Sequence, residues 1–304
     1  MQITKKISES FKKYWQLYLF ILPGMLYFII FHFMPMYGVQ IAFKDYRAID
    51  GILGSDWVGL KHFVRFFESP QFWSMLKNTV GLSLYQLIAG FPIPIILALL
   101  LNQMKNEKFK KTVQMATYAP HFISIVVLCG MMSVFLSPST GIINVIIKAM
   151  GMDPVFFLGD PEMFPHLYVW SGVWQNAGWG TIIYLAALAG VDPSLYEAAR
   201  VDGANKFRLI WHIDIPGIMP TAILLLIMDL GKVMNIGFQK AYLLQNPLNM
   251  EASEIIPTYV YKVGLQQAQF SYSTAIELFN TTINIILLVI VNKFARRVSE
   301  TSLW

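Results

Sequence analysis

The chain has little charge and almost no cysteine. Of its 304 residues, 13% are charged and only Cys129 is a cysteine. Soluble domains carry about 25% charged residues, so this chain lacks the polar groups that would cover a globule in water. A single cysteine excludes an internal disulfide framework and a cysteine-based zinc site. Together with a hydrophobic content of 56%, these shortages indicate an integral membrane protein.

Motifs for enzyme chemistry are also missing. The sequence has no G-x-x-x-x-G-K-[ST] phosphate-binding loop, because Gly231-Lys232 is followed by Val233 and lacks the upstream glycine. It has no H-E-x-x-H metal-binding motif either. We therefore predict no catalytic residue, no metal site and no cofactor bound by this chain.

Six apolar segments are long enough to cross a bilayer, which takes about 20 residues. They span roughly 17–41, 79–101, 113–136, 166–189, 218–244 and 276–295. The fifth is the weakest, because Asp229 and Lys232 interrupt it. The predicted fold class is an all-α polytopic membrane protein. Its predicted parts are a basic amphipathic tail (1–16), a six-span transmembrane domain (17–296) and a second tail (297–304).

The basic residues predict the orientation of these spans. Fourteen of the 23 Lys and Arg residues lie before the first span, in residues 102–112, in residues 190–217 and after the sixth span. Loops rich in Lys and Arg stay on the cytoplasmic side. Both termini and these two loops are therefore predicted to be cytoplasmic. Because topology explains the positive charge, no nucleic-acid partner is expected.

The loop at 190–217 is longer than a connection between two spans requires, and its local signals predict two short helices. Asp192 suits an N-cap and Pro193 the first helical position. Gly203 supplies the permissive backbone of a helix end. Such a structured loop favours a docking surface for another protein over a solvated linker.

The second helix of this loop is predicted to run from Lys206 to about His212. Asn205 can cap its start. Pro216 and Pro220 are expected to end it and to open the fifth span, because proline lacks the N–H group that a helix interior needs.

The spacing E-A-A-x3-G-x9-I-x-I-P, from Glu197 to Pro216, resembles the cytoplasmic loop of ABC-importer permeases. The likeness to the carbohydrate (CUT1, maltose-type) class covers nearly the whole chain, and the two ends are similar to the LplB/YteP-type oligosaccharide permease subgroup. One departure is Ile215, where the family motif usually has leucine. The other stretches that carry the resemblance are Pro35–Lys44, Ala119–Ser124, Trp174–Gly178, Tyr184–Leu188 and Ser302–Trp304.

The resemblance implies a MetI-like, type I importer permease fold and a set of partners. These are a second, homologous permease that completes a heterodimer, two cytoplasmic ABC ATPase subunits that bind ATP and magnesium, and an external, lipid-anchored sugar-binding protein. The implied cargo is an oligosaccharide, moved across the bacterial plasma membrane by alternating access. By the same resemblance, the ATPase-coupling residues are Glu197, Ala198, Ala199, Asp202 and Gly203.

The alternative function is an ion-coupled secondary transporter, which has no need for a long docking loop.

Polar and aromatic residues inside the predicted spans are candidates for the substrate path. They are Trp174, Gln175, Asn176, Trp179, Asp229, Asn280 and Asn284. Sugars bind flat aromatic faces and amide groups, but hydrogen bonds between helices explain these residues equally well. Asp229 and Lys232 lie three residues apart and could instead form a structural ion pair.

Overall fold

The structure is a computed structural model that describes residues 2–299, with side chains described from residue 13 to residue 297. The fold is helical, as predicted. The chain divides into two compact units, one made of residues 2–67 and 263–278 and the other of residues 68–262 and 279–299. The sequence signal at Ser302–Trp304 and the end of the predicted C-terminal tail lie outside the described residues.

The first unit contains one long helical segment and a small hairpin. Strands β1 (Lys44–Asp45) and β2 (Asp56–Trp57) pair antiparallel, with Lys44 opposite Trp57. The helices of this unit are α1 Gln2–Phe28, α2 Met34–Met36, α3 Gly51–Gly54 and α4 Lys61–Phe67, with a π-helical turn at Ile29–Phe33 and a 3-10 segment at Tyr37–Phe43.

The second unit contains most of the helices. They are α5 Phe72–Gly90, α6 Pro92–Asn102, α7 Glu107–Tyr118, α8 Ile125–Phe135, α9 Ile142–Ala149, α10 Met163–Ala189, α11 Pro193–Val201, α12 Lys206–Leu209, α13 Ile215–Leu230, α14 Phe238–Leu244, α15 Met250–Ser253 and α16 Ile256–Tyr261. The last helix, α17 (Phe270–Ser299), begins in the first unit and ends in the second.

Four helical segments are long and apolar enough to cross a membrane, or five if one bent pair counts as a single span. The four are Lys13–Phe43, Phe72–Asn102, Lys206–Leu230 and Phe270–Arg297. They match the first, second and sixth predicted spans and overlap part of the fifth. Helix α10 covers the fourth prediction with 27 residues, but it is not among the four because its amide and tryptophan side chains lower its hydropathy.

The third predicted span, residues 113–136, is not one straight helix. Helix α7 and the 3-10 turn Ala119–Phe122 meet α8 at an angle of 98°. Ile123 and Ser124 have extended backbone conformations, and the Ser124 hydroxyl caps the start of α8. A new N-cap after a proline-containing turn restarts the helix in a new direction.

The fifth predicted span, residues 218–244, is wrong at both ends. The helical segment begins at Lys206 and ends at Leu230, and a turn then leads to α14. The sequence suggests that Pro216 and Pro220 end the helix that precedes them, but in the structure they do not. A π-helical turn at Ile210–Asp214 lies just before Pro216, and its wider spacing accommodates a ring that would clash with a carbonyl four residues earlier.

Helix α10 is the central element of the second unit and packs against α5, α6, α7 and α13. A core cluster around Tyr168 and Val169 joins it to Leu82, Leu128 and Ile255. Gly178 permits the close approach to α7, because a Cβ atom at this position would lie 2.1 Å from the Thr117 carbonyl oxygen. The polar loop that follows α10 and the polar wall of a cavity are both positioned by this packing.

Candidate functional site

Helix α11 begins as the sequence predicts. The Asp192 carboxylate accepts a hydrogen bond from the Ser194 backbone N–H at 2.9 Å, and Pro193 occupies the first helical position. Hydrogen bonds from the backbone and the side chain of Ser194 lower the pKa of Asp192. The cap fixes where the helix starts, and therefore which residues face outward.

Helix α11 ends in a Schellman motif at Gly203, whose φ angle is +76°. The Ala204 N–H donates to the Ala199 carbonyl at 2.9 Å, and the Gly203 N–H donates to the Arg200 carbonyl at 3.1 Å. A positive φ angle favours glycine, so the helix end predicted from the sequence is confirmed. Asn205 then caps α12 by accepting from the Arg208 N–H at 2.9 Å, also as predicted.

The residues predicted to couple to an ATPase lie together on this loop. Glu197, Ala198, Asp202 and Gly203 are exposed, whereas Ala199 is half-buried. The two alanines therefore differ: Ala198 leaves room for an outside surface and Ala199 leaves room for the protein behind it. Among the apolar residues nearby, Val201 is 88% exposed.

The base of the loop holds a buried carboxylate whose partners could not be inferred from the sequence. Asp214 is fully buried at the end of the π-helical turn. Its Oδ1 atom accepts from Asn102 Nδ2 at 3.1 Å and from the Tyr196 hydroxyl at 2.5 Å, and its Oδ2 atom accepts from Gln103 Nε2 at 2.7 Å. We call these four side chains the Asp214 junction. The only sequence signal was an acidic residue inside the I-x-I-P motif.

A cavity of about 530 Å³ lies within the second unit, beside α5, α6, α10 and α13. Its wall also includes the turn between α13 and α14. The wall combines apolar side chains with a group of amides and charged groups. The amide and charged lining residues are Gln86, Gln175, Asn176, Asp229, Lys232, Asn235 and Lys240.

Three of the predicted path residues border this cavity: Gln175, Asn176 and Asp229. Gln175 Nε2 donates to the Ile123 carbonyl at 2.7 Å, which holds the bend between α7 and α8 against α10. Asn176 Oδ1 lies 3.0 Å from His121 Nδ1. Both amides therefore have a structural hydrogen bond as well as a position at the cavity wall.

The two predicted path tryptophans do not line the cavity. The Trp179 ring stacks on the His121 ring, with centroids 4.5 Å apart and an angle of 5° between the planes. Trp174 is half exposed on α10. Their placement suits an interface with lipid or with another subunit.

Asn280 and Asn284 lie behind the cavity wall and hold the turn after α13. Asn280 Nδ2 donates to Asn235 Oδ1 at 2.8 Å, and Asn284 Oδ1 accepts from the Met234 N–H at 3.0 Å. Both amides are buried. The alternative to sugar binding that the sequence left open was hydrogen bonding between helices, and these contacts instead join a helix to a turn.

Asp229 and Lys232 are not joined by a side-chain ion pair. Helix α13 ends between them at Leu230, and their link is a hydrogen bond from the Lys232 N–H to the Asp229 carbonyl at 3.0 Å. A side-chain salt bridge does form between Lys262 and Glu254, at 2.7 Å. The geometry therefore does not support the interpretation of residues 229 and 232 as a structural ion pair.

Lys240 is a site residue that the sequence reasoning missed. It lies on α14, is 6% exposed and borders the cavity. Its ammonium group donates to the Tyr168 carbonyl and lies 4.7 Å from the centroid of the Tyr168 ring. Within the part of the chain that the structure describes, no carboxylate forms a salt bridge with it. A lysine at the end of a predicted span resembles a flanking charge, so nothing in the sequence indicated that its side chain is buried.

Comparison with known proteins relates the chain to membrane transport components. The family described as binding-protein-dependent transport system inner membrane component matches residues 78–300. The polygalacturonan/rhamnogalacturonan transport system permease protein YteP of Bacillus subtilis is 47% identical, over 95% of this chain and 90% of that protein. Protein LplB of the same organism is 43% identical, over 95% of this chain and 91% of that protein.

Solved structures of similar chains also come from a membrane transporter. A chain from the crystal structure of a bacterial ABC transporter involved in the import of the acidic polysaccharide alginate superimposes with a TM-score of 0.90. It is 40% identical, and the match covers 97% of this chain and 99% of that one. The same similarity holds for a crystal structure of the alginate transporter in complex with an alginate pentasaccharide-bound periplasmic protein.

Proposed function

The chain belongs to the family of inner membrane components of binding-protein-dependent transport systems, and we propose that it carries acidic oligosaccharides across the bacterial plasma membrane. It is a permease subunit of such an importer. In the proposed cycle, a separate ATPase drives alternating access of a MetI-like, six-span domain. The observation that carries the proposal is the cavity in the second unit, with its amides and its buried lysine.

The cavity lining suits a carbohydrate with negative charge. The amides of Gln86, Asn176 and Asn235 offer both donors and acceptors to sugar hydroxyl groups. Within the described residues, the wall contains two lysines, Lys232 and Lys240, but only one carboxylate, that of Asp229, which leaves an excess of positively charged side chains. A uronate carboxylate would supply the missing anion, because a buried cation is costly without a partner.

The size of the cavity and the relatives support the same cargo. Small-ligand sites commonly enclose about 300–1,000 Å³, and this one is about 530 Å³. A second, homologous permease would complete the path as a heterodimer. The names of two similar transporters give their cargo as polygalacturonan/rhamnogalacturonan and alginate, which are acidic polymers.

The loop at 190–217 is proposed as the cytoplasmic docking element for one of two ABC ATPase subunits. Exposed Glu197, Ala198 and Val201 share one face of α11, which suits contact with another protein. ATP and magnesium would bind to the ATPase subunits, and the termini would share the cytoplasmic side with this loop. On the other side, an external, lipid-anchored binding protein would deliver the oligosaccharide. The alginate transporter complex contains a pentasaccharide-bound periplasmic protein, which supports delivery by a binding protein.

Reconstituted transport tests the function. The permease pair and its ATPase are placed in proteoliposomes, and uptake of a galacturonate oligosaccharide, delivered by its binding protein, is compared with uptake of the methyl-esterified form. We expect uptake that requires ATP and favours the acidic form. Uptake driven by an ion gradient in the absence of the ATPase would instead establish the secondary-transporter alternative, and equal uptake of both sugars would contradict the acidic cargo.

A further inference from the structure

The carboxylate of Asp214 is buried, and its hydrogen-bond donors are all uncharged. The side chain has 0% exposure, and the amides of Asn102 and Gln103 and the hydroxyl of Tyr196 donate to it. A buried carboxylate is stable only when its oxygens are well hydrogen-bonded, and hydrogen bonds to a charged group are about twice as strong as neutral ones. The Asp214 junction is therefore held more firmly than an ordinary loop contact.

The junction joins three elements that are distant in sequence. Asn102 and Gln103 lie at the end of α6, Tyr196 lies on α11, and Asp214 lies at the entrance to α13. A second link runs beside it, because Lys206 Nζ donates to the Gln103 carbonyl at 3.3 Å. A displacement of α11 would therefore act on both α6 and α13.

Tyr196 makes the connection to the outward face of the loop. It is half-buried, and it directly precedes exposed Glu197 and Ala198. Burial, together with the hydrogen bond to Asp214, raises the pKa of Tyr196 to about 12. The Tyr196 hydroxyl group therefore remains a proton donor at every physiological pH.

The far ends of the joined helices reach the cavity. Pro94 of α6 and Leu225 and Asp229 of α13 belong to its lining. At about 1.5 Å per residue, the helix from Asp214 to Asp229 is about 22 Å long. A helix of that length can carry a movement of the loop to the cavity wall.

We propose that Asp214 is a positioning residue that transmits the displacement of α11 to the cavity walls formed by α6 and α13. This inference rests on the proposed ATP-driven function, because it assigns the path by which the docked loop acts on the cavity. Glu197 and its neighbours would bind the ATPase, and the Asp214 junction would transmit the resulting movement of α11 to α6 and α13. Attachment and transmission would then depend on different residues.

The test uses the complete transporter in proteoliposomes, with the variants Tyr196→Phe, Asp214→Asn and the two combined. Tyr196→Phe removes one hydroxyl and keeps the ring, and Asp214→Asn removes the charge and keeps the shape. Asp153→Asn is the matched control, because it removes the same charge from an exposed residue that lies outside the loop at 190–217. The measurements are copurification of the ATPase, ATP hydrolysis, and sugar transported per ATP hydrolysed.

We expect Tyr196→Phe and Asp214→Asn each to lower sugar transported per ATP about tenfold, the effect of losing a charge-assisted hydrogen bond. ATPase copurification should stay within about twofold of the unmodified protein. The combined variant should be no worse than Asp214→Asn alone, because the loss of the Tyr196 hydroxyl only removes a contact that Asp214→Asn has already weakened. The control should behave as the unmodified protein.

Other outcomes would overturn the inference. If transport and ATPase copurification fell in parallel, the junction would only support the fold of the loop. If the combined variant multiplied the two defects, or if transport per ATP did not change, the contact would not lie on the path. Absence of ATP-driven uptake by the unmodified transporter would instead reject the proposed function itself.

Discussion

Lys240 combines burial with a position at the cavity wall. Its ammonium group is held by the Tyr168 carbonyl and ring, and neither of these groups carries a negative charge. An ion in an apolar membrane protein needs a partner or a hydrated cavity, and a functional role is the first hypothesis for such a residue. The identity of the cargo should therefore depend on this single side chain.

Replacement of Lys240 by methionine is predicted to lower uptake of a galacturonate oligosaccharide about tenfold relative to its methyl ester, because one charge-assisted hydrogen bond is lost. Uptake of the two sugars by reconstituted transporter gives this ratio. Lys148→Met, a change of an exposed lysine on α9, serves as the control. Equal loss for both sugars would mean that Lys240 only fastens α14 to α10.

At the scale of elements, the caps of α11 define the shape of the docking surface. The left-handed conformation of Gly203 lets the Ala204 and Gly203 N–H groups close the helix end. A Cβ atom at Gly203 would meet nothing within 4 Å, so a substitution there strains the backbone without a steric clash. The effect of a mutation can therefore be assigned to conformation alone.

Gly203→Ala is predicted to weaken binding of the ATPase about fivefold, since the left-handed conformation costs a residue with a Cβ atom about 1 kcal/mol. Gly203→Asn should be closer to the unmodified protein, because asparagine tolerates this conformation better. Affinity of the solubilised permease pair for the ATPase measures both. A weaker complex with asparagine than with alanine would argue against the conformational explanation.

At the scale of the whole molecule, the arrangement of charge predicts which loops face the cytoplasm. The lone cysteine, Cys129, is buried, so exposed positions can be labelled in a Cys129→Ser background. Ser194 in the first turn of α11 and Ser139 between α8 and α9 are both exposed. Their side chains offer two small, neutral positions for a topology experiment.

A cysteine introduced by Ser139→Cys should react with a membrane-impermeant maleimide in intact cells, whereas one introduced by Ser194→Cys should react only after the membrane is opened. The reason is the retention of Lys-rich and Arg-rich loops on the cytoplasmic side. Gel shifts of the labelled protein provide the measurement. Labelling of Ser194→Cys in intact cells would place the proposed docking loop on the wrong side and remove the basis for ATPase coupling.

Local signals allowed the loop to be predicted closely. The caps at Asp192 and Asn205 and the left-handed glycine at 203 depend on residues within a few positions of each other, and all three are confirmed. The fifth span was predicted less well. Proline at 216 normally ends a helix, but the π-helical turn before it keeps the helix continuous to Leu230.

The sequence alone determined that the chain is a helical membrane protein, where its first, second and sixth spans lie and how its polar loop is capped, because composition and short-range hydrogen bonds decide these features. Only the tertiary structure decided that Asp214 meets side chains more than 100 residues away and that Lys240 is buried at a cavity. It also decided that Asn280 and Asn284 hold a turn. These contacts depend on how distant helices pack together, and no spacing along the chain records that packing.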